Sequence, residues 1–325
     1  MSTGTPELLQ EEADAAQIVV EPGGDIARSP LQLFWRRLRR DKVAMTALAF
    51  IVALILMAIF APAIVSLAGT PGPRVQSSEA LDVFGSPSGP SAAHPFGVDR
   101  LGRDVFSRTV YGSRVSLEVA LIATGIAVFI GVVVGLLAGF YRGWVDTVLS
   151  RFTDVVLAFP ILLLGLGLAA ACSGAKGCFG GVIQPGLPVV IMTIAIINWT
   201  YIARIVRGQV LSLREKEFVE AARSLGASDT RIILREVLPN LVAPLIVYSS
   251  LLIPANILLE AALSFLGVGV GAGTPSWGAM IAEATSLFPD AWWFMLFPGV
   301  ALLITVLAFN LVGDGLQDAL DPRRR

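Results

Sequence analysis

Charge is scarce in this sequence of 325 residues. Asp, Glu, Lys and Arg together make up 15% of it, against 55% hydrophobic residues, and the mean hydropathy is +0.74. Such a composition excludes an ordinary soluble domain and indicates an integral membrane protein. Histidine is limited to His94, and cysteine to Cys172 and Cys178.

Two further absences narrow the function. The dipeptide glycine–lysine does not occur, so the chain cannot form the phosphate-binding loop GxxxxGK[ST], and any ATP must be hydrolysed by another subunit. No catalytic set accompanies His94, and no metal site is expected. We therefore predict a protein that is not an enzyme and has no nucleic-acid partner, with His94 serving loop packing or partner contact.

Six apolar stretches are each long enough to cross a membrane. About 20 helical residues span the roughly 30 Å of a hydrocarbon core. The stretches are residues 43–68, 115–140, 152–171, 187–205, 241–266 and 294–313. An all-α membrane protein with six transmembrane helices is the predicted fold class.

Basic residues predict the orientation. Of the 24 Lys and Arg residues, 18 lie near the two termini or in the loops on the same side of the membrane. By the positive-inside rule, that side is cytoplasmic. Trp292 and Trp293 lie at the outer end of the last span, where aromatic anchors are common. The first apolar run is too long, and begins too late, for a cleaved signal peptide.

These features divide the chain into five parts. Residues 1–29 are predicted to be a disordered acidic tail, and residues 30–68 a basic segment followed by the first span. Residues 69–114 form an extracytoplasmic loop rich in Pro, Gly and Ser. Residues 115–316 are a core domain of five spans that includes the cytoplasmic loop 207–240. Residues 317–325 are a cytoplasmic tail.

The most informative segment lies between two spans, at residues 217–240, EFVEAARSLGASDTRIILREVLPN. Apolar residues recur there with helical spacing and predict a short helix with one apolar stripe. The stripe consists of Phe218, Ala221, Ala222 and Leu225. Gly226 can end that helix in the left-handed conformation, and Ser228 or Asp229 can cap the next one. We predict two short helices joined at an angle.

This segment resembles the EAA loop of ABC-importer permeases, the element that docks into the ATPase subunit. The corresponding positions are Glu217, Glu220, Ala221, Ala222, Gly226, Leu238 and Pro239. An ordinary amphipathic linker between spans is the alternative. Residues 94–117, 258–284 and 310–324 also resemble the C-type permease subunits of dipeptide and oligopeptide importers.

The resemblance implies a type I ABC-importer permease fold in a bacterial cytoplasmic membrane. It implies a second permease subunit, two ATPase subunits that bind ATP and Mg, and an extracytoplasmic peptide-binding protein. Peptides are the expected cargo, with nickel or glutathione as alternatives for the same machinery. An ion-coupled secondary carrier is the rival from a different class, although no repeated halves, which such carriers typically show, are visible in the sequence.

Polar residues within the spans are candidates for the substrate pathway. Asn256 and Glu260 lie one turn apart near the outer part of the fifth span, and we predict that they border the substrate cavity. A buried hydrogen bond to the partner permease is the alternative for Glu260. Cys172 and Cys178 flank a short outer loop, where a disulfide and two free thiols are equally compatible with the sequence. Glycines at positions 131, 135, 139 and 143 predict close helix packing.

Overall fold

The computed structural model describes residues 30–172, 178, 186–267, 269 and 273–320. The predicted disordered tail, residues 1–29, and residues 321–325 of the predicted cytoplasmic tail lie outside the described residues. Within the described part, the structure is helical apart from turns and two isolated β-bridges. The α-helices are α1 Pro30–Arg40, α2 Lys42–Ile59, α3 Ala61–Leu67, α4 Val105–Tyr141, α5 Gly143–Ala158, α6 Ile161–Ala171, α7 Leu187–Leu213, α8 Glu217–Ser224, α9 Asp229–Ile232, α10 Leu238–Phe265, α11 Trp277–Ala284 and α12 Trp292–Leu320.

Five of the described helical segments are long and apolar enough to cross a membrane, and a bent pair makes a sixth if it counts as one span. That pair is α5 with α6, which meet at 87°, where the sequence predicted one span over residues 152–171. Phe159 is extended and Pro160 precedes α6. Proline lacks an N–H and disfavours a helical residue before it. The break at this dipeptide corrects the prediction.

Helices α4 and α7 form the central pair of the bundle. A Cβ added to Gly131 would lie 2.6 Å from the Cβ of Ile202, and one added to Gly135 would lie 2.6 Å from the carbonyl oxygen of Ala203. Gly139 approaches α7 in the same way, so the predicted close packing is present at three of the four glycines. Gly143 differs, because it has open space around it and a φ of 60°.

The end of the bundle at which α4 begins is covered by the loop before α4. This helix begins at Val105 rather than after residue 114, because the carboxylate of Asp104 accepts the backbone N–H of Ser107 at 2.7 Å and caps it. His94 Nδ1 lies 2.8 Å from the other oxygen of Asp104. The first turns of α4 thus lie within the segment 69–114 that the sequence assigned to the extracytoplasmic loop.

A buried cluster of charged groups holds this loop to α11. Asp99 lies 2.6 Å from Arg103 and also pairs with Arg108, and Glu283 lies 2.8 Å from Arg103 and 2.9 Å from Arg108. Asp99 is fully buried. Two arginines against two carboxylates leave the cluster formally neutral, as a buried ionic group requires. Helix α11 thus packs beneath the loop instead of lying free at the membrane surface.

Candidate functional site

The segment that resembles a coupling loop projects between α7 and α10. It consists of α8, a turn at Gly226, and α9, which runs through a π-helical turn at Ile233–Val237 into α10. Gly226 has a φ of 78°, so the predicted left-handed helix end is present. Ser228 occupies the N-cap position of α9, but its side chain makes no capping hydrogen bond there.

The second helix of the predicted pair is not a separate short helix. Residues from Asp229 to Phe265 form one helical segment of 37 residues. Leu238 and Pro239 begin α10, and the π-helical turn lies directly before them. Pro239 cannot donate a backbone hydrogen bond to the preceding turn, which favours such an irregular turn at this point. The coupling segment is therefore continuous with a membrane span.

The inward face of α8 differs from the predicted stripe. Val219 is fully buried, together with Ile232 and Val237. Phe218 is 39% exposed and Leu225 is 89% exposed. The predicted stripe is therefore divided: Phe218, Ala221 and Leu225 are exposed, whereas Ala222 is half-buried and packs against the same cluster as Val219. An exposed apolar face of this kind indicates a contact surface for another protein.

A notch lies at the Gly226 turn, beside that outer face. Its volume is about 210 Å³. The lining residues are Ala222, Leu225, Gly226, Ala227, Arg231, Ile232 and Glu236. A Cβ added to Gly226 meets no atom within 4 Å. Glycine is needed at this position for its positive φ, not for lack of space.

The base of the coupling segment is tied to three long helices. Val219, Ile232 and Val237 belong to one apolar cluster with residues of α4, α7 and α10. Arg214 donates a hydrogen bond to the carbonyl oxygen of Phe140, at the inner end of α4. Burial lowers the pKa of the Arg214 guanidinium from its usual value. The coupling segment is therefore packed directly against the spans.

Comparison with known proteins identifies the family to which such a helical membrane protein belongs. The family model of the binding-protein-dependent transport system inner membrane component matches residues 131–325. The chain belongs to this family. The model of the N-terminal transmembrane domain of oligopeptide transport permease C matches residues 29–76. The chain is thus the permease subunit of an ABC importer, and the ion-coupled carrier is not supported.

Relatives cover almost the whole permease. The glutathione transport system permease protein GsiD of Escherichia coli O6:K15:H31 is 42% identical over 308 residues, which is 95% of each chain. The protein of the same name from Shigella boydii serotype 4 gives the same values. Two inward-facing crystal forms of the MetNI methionine ABC transporter share the fold at 19% identity, with TM-scores of 0.55 and 0.56. They cover 66% of this chain and 96–97% of their own.

Asn256, predicted to border the substrate cavity, is fully buried in the permease. Its side-chain oxygen accepts a hydrogen bond from Asn198 Nδ2 at 2.6 Å, and its nitrogen donates to Thr124 Oγ1 at 2.8 Å. The residue thus joins α4, α7 and α10. This arrangement satisfies the buried amide within the chain.

Glu260 is also fully buried. Ser116 Oγ donates to one of its oxygens at 3.0 Å, and Ser264 Oγ to the other at 2.7 Å. Glu260 thus makes a buried hydrogen bond between helices to Ser116 of this chain, whereas the alternative from the sequence named the partner permease. Contact of Asn256 or Glu260 with cargo therefore stays a prediction that this geometry does not support.

Two features of the permease have little or no signal in the sequence. The structure joins Cys172 and Cys178 in a disulfide, one of the two states that the sequence left open. Asp154 lies 3.8 Å from Arg151 of the same helix and 2.9 Å from Arg204 of α7. The acid and the base of this closer pair are 50 positions apart, so no local pattern could show it.

Proposed function

We propose that this permease is one half of the membrane pore of a peptide importer, driven by two separate ATPase subunits. The observation that carries the proposal is the exposed coupling surface, formed by Phe218, Leu225 and the notch at Gly226. It belongs to a segment that is packed against three spans yet has an apolar outer face. Membership of the family implies a partner permease, an ATPase and a binding protein at a general level. The assignment of residues 217–240 to the ATPase contact is our proposal.

The proposed mechanism is alternating access. ATP and Mg bind to the ATPase subunits, and closure of the ATPase pair moves α8 and α9. Because Val219, Ile232 and Val237 share one apolar cluster with α4, α7 and α10, these helices move together with the coupling segment. The permease would then transmit force and enclose the pathway without taking part in hydrolysis.

The proposed cargo is a short peptide, with glutathione as a specific candidate. Glutathione is itself a tripeptide, and relatives with 42% identity are named as glutathione permeases. The match to the oligopeptide permease C domain supports the broader class. Nickel, the other alternative from the sequence, has no structural observation in its favour.

The proposed orientation places both termini and the coupling segment in the cytoplasm. The distribution of Lys and Arg supports it. The loop before α4 and helix α11 then face outward, where a peptide-binding protein would deliver cargo. Protease-accessible tags at residue 1 and within residues 81–87 would show whether these two positions lie on opposite sides of the membrane. Cleavage of both tags by protease added to the same side would contradict this topology.

Reconstitution of the assembled importer tests the proposal. The complex is purified through a tag on this chain, its subunits are identified by mass spectrometry, and it is placed in liposomes with the binding protein. We expect ATP-dependent accumulation of glutathione or a dipeptide and none of Ni²⁺. Uptake by the solitary chain under an ion gradient, or ATP-dependent uptake of Ni²⁺ alone, would contradict it.

A further inference from the structure

Charged side chains lie on the membrane-spanning helices α5 and α7 with much of their surface exposed. The exposed fraction is 80% for the Arg151 side chain, 51% for Asp154 and 59% for Arg204. A charge within the membrane is costly to hold against lipid, so such residues face water-filled space or other protein. The face that carries these three groups therefore lies against water or other protein and not against lipid.

Two ion pairs, about one helical turn apart along α7, join α5 and α7. Nearer the inner end of α7, Arg207 donates to both oxygens of Asp146, at 2.5 and 2.8 Å. One turn further outward along α7, Arg204 lies 2.9 Å from Asp154. Arg151 is less well satisfied, since its 3.8 Å separation from Asp154 exceeds hydrogen-bond length.

A cavity of about 370 Å³ lies among these pairs, and we call it the inner cavity. Its volume falls within the range of about 300–1,000 Å³ typical of small-molecule sites. Gly135 and Ala138 of α4 form part of its wall, and Thr147 and Ser150 contribute hydroxyl groups. The inner cavity thus combines charges of both signs, hydroxyl groups and a small apolar wall.

The opposite face of α5 is apolar. Its exposed residues are Trp144, Val148 and Val155, which share one face at intervals of four and seven, whereas Phe152 stacks on Trp199 of α7 with the ring centroids 5.9 Å apart. The helix therefore separates an apolar environment from the charged inner cavity. This amphipathic character explains why the charges of α5 collect on the side of α4 and α7.

We propose that the inner cavity is a site at which a peptide is held by its charged termini before release to the cytoplasm. The guanidinium groups of Arg151 and Arg204 bind the terminal carboxylate, because arginine pairs with carboxylates through two parallel hydrogen bonds. Asp154 accepts the terminal ammonium group. This inference rests on the proposed function, since it requires a peptide cargo.

The charge balance favours a peptide that carries an additional carboxylate. The cavity is lined by three arginines, at positions 151, 204 and 207, and two aspartates, at positions 146 and 154. The formal excess is one positive charge. Glutathione has two carboxylates and one ammonium group, so its net charge complements that excess. A lipid phosphate uses the same guanidinium chemistry, but it has no use for the aspartates, which would repel it.

Thiol protection tests the inner cavity directly. The described cysteines form a disulfide, so Thr147→Cys adds a reactive thiol at the cavity wall. The assembled transporter, without ATP and in nanodiscs, is labelled with N-ethylmaleimide in the presence of trialanine or its C-terminal amide. We expect trialanine to slow labelling by about fivefold, as one exposed ion pair allows, and the amide to protect less. Ser212→Cys, exposed on α7 outside the cavity, should not be protected.

Arg151→Gln provides the second arm, since the side chain is mostly exposed and its loss should not disturb folding. In the Thr147→Cys background, it should reduce protection by trialanine to the level of the amide. Equal protection by both peptides, or protection that survives Arg151→Gln, would overturn the inference. Labelling that changes with phosphatidylglycerol content but not with peptide would assign the site to a lipid head group and overturn it as well. ATP-dependent peptide uptake by the unmodified complex is measured in parallel, and its absence would refute the peptide function itself.

Discussion

The positive φ of Gly226 gives the sharpest test of the coupling segment. Replacing Gly226 with alanine forces an L-residue into the left-handed region at a φ of 78°, which costs about 1–2 kcal/mol. No atom lies within 4 Å of the added Cβ, so the effect comes from the backbone and not from a clash. Gly208 is the matched control, because it also has open space around it but lies inside helix α7.

The two substitutions should have opposite effects on the local stability of the backbone. Gly208→Ala removes a glycine from a helix interior and should stabilise it by about 0.5–1 kcal/mol. Gly226→Ala should shift the equilibrium between the native turn and other geometries by about fivefold to thirtyfold toward the latter, and a β-branched valine should shift it further. The surface beside the notch would then meet the ATPase subunits in the wrong shape.

The measurement is the ratio of peptide transported to ATP hydrolysed by the reconstituted complex. We expect this ratio to fall for Gly226→Ala, to fall further for Gly226→Val, and to stay unchanged for Gly208→Ala. The amount of assembled complex is measured beside it, so that a folding defect is separated from uncoupling. An unchanged ratio for both Gly226 variants, or an equal fall for Gly208→Ala, would refute the role assigned to this turn.

Three further predictions concern other contacts. Leu225→Asp places a charge on the exposed face of α8, and we expect fewer ATPase subunits to co-purify while the amount of permease is unchanged; normal co-purification would show that this face is not the contact. Glu260→Ala leaves two buried serine hydroxyls without their acceptor and should lower the thermal unfolding temperature of the complex. Glu260→Gln should lower it less, because the amide oxygen still accepts a hydrogen bond. A loss of transport at full stability in both variants would instead favour a role for Glu260 in the substrate pathway. Gly135→Val should reduce the assembled complex recovered from membranes, because the side chain would enter α7, while Gly125→Val, with open space around it, is the control; equal recovery of both would contradict the packing role.

The sequence predicted the general architecture because membrane spans leave long apolar stretches. The turn at Gly226 was also predictable, since a glycine after an apolar helical stripe has few other uses. The face of α8 was not, because Val219 and the Phe218–Leu225 stripe are both apolar and periodicity alone does not say which side meets the protein. The break at Pro160 had a local signal, but the apolar run on either side of it favoured one span.

Contacts between distant residues were beyond the sequence for a different reason. Glu260 was recognisable as a costly intramembrane acid, yet nothing local shows that Ser116 on another helix would satisfy it. The same holds for Arg204 with Asp154. Such pairs depend on the rotation of two helices about their axes, which is set by packing across the whole bundle.

The continuity of α9 with α10 makes the span a lever. At 1.5 Å per residue, the 28 residues of α10 extend over about 42 Å, from the coupling segment to the outer loops. With the fulcrum at the buried contacts of Asn256 and Glu260, the arm toward the coupling segment is about 30 Å long and the arm toward the far end is about 10 Å long. A stroke of the ATPase pair would therefore reach the far opening reduced by about threefold, so that a large movement of the coupling segment gives a fine adjustment of the opening.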